Sequence, residues 1–443
     1  MVVFRKPLLS ILSSLVLLSA AAAQSNVNAG QATSPTNPIP QLTLQDAIRL
    51  AKENAPDFRV ALAEAGIAHQ GSVQTRAALL PALSYTTGLI YTKPNGTPTG
   101  VFVGANGPRE YLSQGVVHET LSFASAADYR RARAQEALAR AKAEVAARGL
   151  VTTVTKDFYG VIVAQQKFEN AQAALAEAQK FVKLSQQLEN GGEVAHADVV
   201  KAQLQANDRE RDLQDLELAA EQAKLGLAVL IFPTFTSDYQ VVNDLAQIPA
   251  LPELTHVLDL AAHNNPEIAA ANATLQASQH EVSSAIAGHL PSITFDYFYG
   301  IDANRYATYT DGIPNLGYQA VATLNLPIFD WGATQSKVKQ AQLQRDVARV
   351  QLSSAQRTAL ANLRLFYNEA QTARKQIDLL QRSADLAAEG LRLTALRYQA
   401  GEATALEVVD AQNASLLAQN NYADAAVRYR VAIANLQSLT GNF

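Results

Sequence analysis

The chain has 443 residues, with 36 Lys and Arg against 40 Asp and Glu, a formal net charge of −4. With 17% of residues charged there is no basic face of the kind a phosphate backbone requires, so nucleic acid is excluded as a partner. The absence of cysteine excludes disulfides, thiolate metal sites, a thiol nucleophile and a lipid carried on an N-terminal Cys.

The chain begins with Arg5-Lys6, the apolar run Leu8–Leu18 and the small residues Ala21-Ala22-Ala23, which together read as a signal peptide over 1–23. The run is too short for a membrane anchor helix, and no other segment approaches 18 uninterrupted apolar residues. Residues 24–41, rich in Ser, Thr, Asn, Gln and Pro, read as a flexible, solvated leader.

From there the sequence is written twice. A shift of 210 (254 minus 44) lays Leu44–Tyr85 on Leu254–Phe295 without a gap and matches Asn54 to Asn264, Pro56 to Pro266 and Pro81 to Pro291. A shift of 209 (401 minus 192) then matches Gly192-Glu193 to Gly401-Glu402 and Val199-Val200 to Val408-Val409. A repeat of this size is a duplicated structural unit. The first unit is expected over 42–232, a linker over 233–251 and the second unit over 252–443.

Each unit opens with a helix and continues with two strands. In the first unit the strands are predicted at about 83–92 and 111–123, and in the second at about 292–301 and 316–329. Their signature is alternation: Ile293, Phe295, Tyr297, Tyr299 and Ile301 share one face, opposite Thr294, Asp296 and Phe298. Strands of this length with an apolar aromatic face fit a transmembrane β-barrel, whereas a soluble sandwich is disfavoured by the export signal and the lack of a globular core. Four strands cannot close, so closure needs at least two copies, and three give a water-filled lumen. Glu119 is the exception on the apolar face and is expected at the aqueous rim.

The remainder of each unit is proline-free and rich in Ala, Gln, Leu, Arg, Lys and Glu. Helical hairpins are predicted at about 127–231, with a tip near 190–192, and at about 332–439, with a tip near 400–401. Apolar and small residues step 4-3-4-3 along Phe366, Ala370, Ala373, Ile377, Leu380 and Ala384, a heptad seam, and Val161 to Ser185 keep the same spacing. Seams so rich in alanine bury little area per residue, which points to assembly with further copies.

At Asn325-Leu326-Pro327-Ile328-Phe329-Asp330-Trp331-Gly332, and at Tyr398-Gln399-Ala400-Gly401 followed by Glu407-Val408-Val409-Asp410-Ala411-Gln412, the chain resembles the TolC-like outer membrane efflux protein family. The resemblance covers about Leu42 to Gly441. It implies an α+β membrane protein in which four transmembrane strands per chain complete a 12-stranded barrel in a homotrimer. The barrel would be continuous with a long α-helical coiled-coil tunnel through the periplasm, with a mixed band, made by about 233–252 and both termini, around its middle. It also implies a passive channel serving a periplasmic adaptor (membrane fusion protein) and an inner-membrane pump, in tripartite efflux or type I secretion.

Residue by residue, the resemblance places an acidic constriction ring on Glu407 and Asp410, and a gate network at the tips on Asp198 and Tyr398 beside Gly192 and Gly401. The arginine common two positions after the tip glycine is Ala403 here, so a salt bridge from that position to Asp198 is lost. The alternative reading of Glu407 and Asp410 is plain solvated helix charges. At the strand-to-helix junction, Pro327, Asp330, Trp331 and Gly332, the carboxylate of Asp330 is expected to accept free N–H groups at a helix start. Trp331 is expected at the membrane–water boundary, or else as an ordinary packing aromatic.

No enzyme pattern is present. The seven histidines show neither HExxH nor HxxxH spacing, and there is no GxSxG, GxGxxG or GxxxxGK[ST] motif, so no cofactor or metal is expected. A secreted hydrolase is therefore disfavoured, and a structural spacer across the periplasm remains the alternative to a conduit.

Overall fold

A computed structural model describes residues 41–91, 109–234, 238–303, 309–310 and 312–441. The expected signal peptide, the leader up to residue 40 and most of the first strand-to-strand loop lie outside the described residues.

In chain order the elements are β1 (Gln41–Leu42), α1 (Leu44–Asn54), α2 (Pro56–Ala77), β2 (Ala82–Tyr91), β3 (Arg109–Ser122), α3 (Phe123–Asn190), α4 (His196–Ile231) and β4 (Gln240–Val241). The second half follows with α5 (Leu254–Asn264), α6 (Pro266–Ala287), β5 (Ser292–Ala303), β6 (Tyr309–Thr310), β7 (Ile313–Pro314), β8 (Leu316–Asn325), α7 (Ala333–Gln399) and α8 (Ala405–Thr440). The single helix expected before each strand pair is in fact two. Pro56 and Pro266 occupy a first helical turn, where a missing N–H costs nothing, and Ala55 and Asn265 before them are extended. Both halves thereby give an 11-residue helix followed by one of 22.

The helices α3 and α7 have 68 and 67 residues, on the order of 100 Å each at about 1.5 Å per residue. Each folds back on its partner, α4 or α8, and α3 also packs on α2, α6 and α8. Among the described residues, no helix is long and apolar enough to cross a membrane.

β2, β3, β5 and β8 form one antiparallel sheet in that order. The register sorts the side chains. Leu83, Val117, Tyr297 and Ala320 line up across one face, as do Leu121, Ile293 and Leu324, whereas Gln114, His118, Asp296, Gln319 and Thr323 belong to the other. One face is apolar and aromatic; the other is polar. Glu119 lies opposite Phe295 on the apolar face, three residues before β3 ends, and among the described residues both its carboxylate oxygens are buried without a hydrogen-bond partner. β8 stops at Asn325 rather than continuing to 329, because Pro327 offers no N–H to a ladder and forces Leu326 before it to stay extended.

Midway along the helices, the segment after α4 is strapped down. β1 and β4 pair in parallel, Gln41 opposite Gln240, which ties the start of the described chain to this segment. Tyr429 donates to the Pro249 carbonyl at 2.6 Å, and Arg430 donates to the carbonyls of Asp244 and Gln247 while stacking over Tyr159. Burial pushes the Tyr159 phenol up to about 12, so at neutral pH it is a donor, to Asp244 at 3.2 Å.

Candidate functional site

The two hairpin tips share one turn chemistry. After α3, the N–H of Gly192 donates to the Glu189 carbonyl at 2.8 Å and that of Glu193 to Leu188 at 2.9 Å. After α7, Gly401 donates to Tyr398 at 3.1 Å and Glu402 to Arg397 at 2.8 Å. Gly192 and Gly401 stand at φ 75° and 77°, the left-handed conformation that lets these bonds close a helix end and that favours glycine.

The tips also share one core. Phe181 of α3, Ala202 of α4, Tyr398 of α7 and Ala405, Val408 and Val409 of α8 form one buried cluster, so the two hairpins pack together at their ends. Tyr398 is 1% exposed, its ring edge-on to Phe181 with centroids 5.0 Å apart. Its hydroxyl lies 3.0 Å from the hydroxyl of Ser185, itself fully buried on α3. Within this chain the Tyr398 hydroxyl thus meets Ser185 and not the other expected member of the tip network, the Asp198 carboxylate. That carboxylate is half-buried in the first turn of α4, where it complements the helix dipole, and it acts on Tyr398 only through its field. Burial raises the Tyr398 phenol above its ordinary value, the Ser185 bond opposes the rise, and Asp198 adds to it.

The two acids of the expected ring differ. Thr404 caps α8 by accepting from the Glu407 N–H at 3.3 Å, and Glu407 Oε1 in return accepts from the Thr404 N–H at 3.2 Å and hydroxyl at 3.1 Å. Glu407 Oε2 also takes an ion pair from Arg397 at 3.4 Å, and Arg397 donates to the Glu402 carbonyl at 2.9 Å. The Thr404 N–H and hydroxyl, with Arg397 behind them, hold the Glu407 carboxyl below the usual carboxylate range. Asp410 stands exposed on the next turn. Both acids are exposed, but Glu407 is built into the turn, whereas Asp410 stands one turn further along α8.

Sequence reasoning missed Ser185 as a bonding partner and Arg397 altogether. Thr404-Ala405-Leu406-Glu407 is a legible capping box, and Ser185 is a small polar residue on a seam otherwise lined by apolar and alanine side chains.

At the opposite end of α7, the Asp330 carboxylate accepts from the N–H of Gly332 at 3.1 Å, from the N–H of Thr334 at 2.7 Å and from the Thr334 hydroxyl. Gly332 at φ 81° is the cap, so α7 starts at Ala333. Trp331 is left-handed too, at φ 56°, and 91% exposed, with its ring edge-on to Phe329. Exposed Ile328, Phe329 and Trp331 make an apolar shoulder just beyond the sheet. The first half has no such joint: Ser122 ends β3 and caps α3 directly.

The family model "Outer membrane efflux protein" matches residues 257–442. The outer membrane protein TolC of Vibrio cholerae is 24% identical over 413 residues, covering 90% of this chain and 90% of that protein. The alkaline protease secretion protein AprF of Pseudomonas aeruginosa is 26% identical over 420 residues, covering 90% and 84%. In fold, the outer membrane channel CmeC of Campylobacter jejuni superposes with a TM-score of 0.78 over 90% of this chain and 85% of that one, at 18% identity.

Proposed function

The chain belongs to the TolC family of outer membrane efflux proteins, and from that premise we propose that three copies close one channel-tunnel. It is an outer membrane efflux channel, not an enzyme. The observation that carries the trimer is the sheet itself. Among the described residues β2 and β8 are each bonded on one side only, and an open edge is forbidden in hydrocarbon. Joining β8 of one copy to β2 of the next, three times, gives 12 strands with the apolar face towards lipid, wide enough for a water-filled lumen. The six helical hairpins then continue as the periplasmic tunnel, and the joint at Trp331 lies at the membrane–water boundary.

The tips are the proposed gate. Tyr398 and Ser185 bridge the two hairpins, Asp198 supports them, and Asp410, with Glu407 beside it, lines the constriction. The similarity to AprF, a secretion protein by name, supports service to a periplasmic adaptor and an inner-membrane pump, in either tripartite efflux or type I secretion. The test is twofold: a detergent-corrected mass and single-channel recording in planar bilayers. A trimer that conducts is expected. A monodisperse monomer with intact strand signal refutes the barrel, and a trimer without conductance is a spacer.

A further inference from the structure

β3 is an inner strand, so both strands next to it, β2 and β5, belong to its own chain. On its polar face His118 pairs with Asp296 of β5, and Nδ1 lies 2.6 Å from Asp296 Oδ1. Nε2 lies 3.3 Å from the Thr120 hydroxyl. The imidazole is 51% exposed and Asp296 23%, so water reaches the ring. The residues that face His118 are Ala82 and Ser84 on β2, Thr294, Asp296 and Phe298 on β5, and Val116 and Thr120 on its own strand, of which Asp296 alone is titratable. None of the four strands carries a lysine or arginine on this face, where the remaining ionisable groups are Glu110 and Asp302 near the far end.

The hydrogen bonds accommodate both charge states of the ring. With imidazole neutral, Nδ1–H donates to Asp296 and Nε2 accepts from the Thr120 hydroxyl. With imidazolium, Nδ1–H still donates to Asp296, and Nε2–H donates to the same Thr120 oxygen, which is donor or acceptor as its hydroxyl turns. A proton is therefore taken up at Nε2 without breaking a contact. Histidine is also the side chain whose ordinary titration falls between pH 5 and 8.

We propose that His118 is a selectivity-determining residue of the conduit: with Asp296 it makes the inner wall of the barrel cation-preferring when the imidazole is neutral and compensates that charge when it is protonated. Three copies change the wall by three charges, on a part of the path remote from the helical tips. The inference rests on the trimeric barrel, in which the polar face of the sheet faces the lumen.

The test uses the full-length trimer in planar bilayers under a KCl gradient, with the reversal potential read at pH 7.5 and pH 5.5. The wild type should lose part of its cation preference at the lower pH, and His118→Gln should lose that pH-dependent shift. Asp296→Asn should lower cation preference at pH 7.5. A shift that persists in His118→Gln belongs to other acids of the path, such as those at the tips, and overturns the proposal, as does a wild type with no shift. Absence of any conductance in the wild type instead refutes the channel reading. If His118→Gln does not insert, His118→Asn is read in the same way; if neither inserts, His118 serves folding and the proposal fails.

Discussion

Tyr398→Phe tests the gate with the smallest perturbation available. The ring stays in its pocket against Phe181, and only the hydroxyl that meets Ser185 across the two hairpins is removed. A neutral hydrogen bond contributes about 1 kcal/mol. If the tips open together, three such bonds break at once, so the substitution shifts the closed state by about 3 kcal/mol, on the order of a 100-fold rise in open probability at about 1.4 kcal/mol per tenfold. Ser185→Ala should do the same, and the double substitution should add little to either alone, since one bond is being removed by its two ends. Asp198→Ala should have a smaller effect, because it removes a field rather than a bond. Open probability in planar bilayers measures this directly, and entry of large, normally excluded antibiotics into cells measures it indirectly. A Tyr398→Phe trimer that stays as closed as wild type, or an Asp198→Ala trimer that opens more readily than it, would refute the Ser185 pairing.

Asp410→Asn should lower cation selectivity and block by trivalent cations, while Arg397→Gln should raise both by releasing Glu407 from its pair; reversal potentials that move in the same direction for the two variants would reject this division of roles. Glu407 stabilises the tip in a pH-dependent way. Because its folded carboxyl is held below the ordinary value of about 4.3, the contribution is complete above that pH and is lost as pH falls through the lowered folded value. Amide hydrogen exchange at Glu402–Glu407 should therefore be insensitive to this group from neutral pH to about 4.5 and lose protection below it, after correction for intrinsic rates. Thr404→Ala should destabilise the start of α8 by about 1 kcal/mol, read as faster exchange confined to that turn. Gly300→Ala would place a Cβ against the Ser113 carbonyl of the neighbouring strand, so trimer yield in the membrane should collapse; normal yield would mean that β3 and β5 are not this close.

The parts of the fold legible in sequence are those written as periods. The alternation in Ile293–Ile301 is also the face that the register assembles, since a side-chain period of two leaves no other choice once the strand is in a sheet. Pro56 and Pro266 match between the halves, yet the sequence around each reads as one helix, because proline is tolerated in a first turn and a helix pattern runs across it on both sides. Side-chain pairing was less accessible. A heptad seam says that Ser185 and Tyr398 face inward, not that they meet, as that depends on how two hairpins from distant parts of the sequence slide along each other. Arg397 gave no periodic signal, since its partners lie across a glycine turn whose geometry is set by backbone hydrogen bonds.

The unequal joints between strand and helix have a mechanical consequence. α3 leaves β3 without an intervening residue, whereas α7 is attached through residues 326–332, with left-handed backbone at Trp331 and Gly332 and the Asp330 carboxylate clasping the first turn. α7 is a lever on the order of 100 Å long, so one degree of rotation at that joint displaces its far end by about 2 Å. The hydroxyl contact between Tyr398 and Ser185 survives only a fraction of such a displacement, since a hydrogen bond weakens steeply beyond about 3.2 Å. In the proposed channel, a movement at the bilayer surface too small to disturb the barrel is therefore large enough to unlatch the opposite end, and the copy of the hairpin that can swing is the one that carries Tyr398 and Asp410.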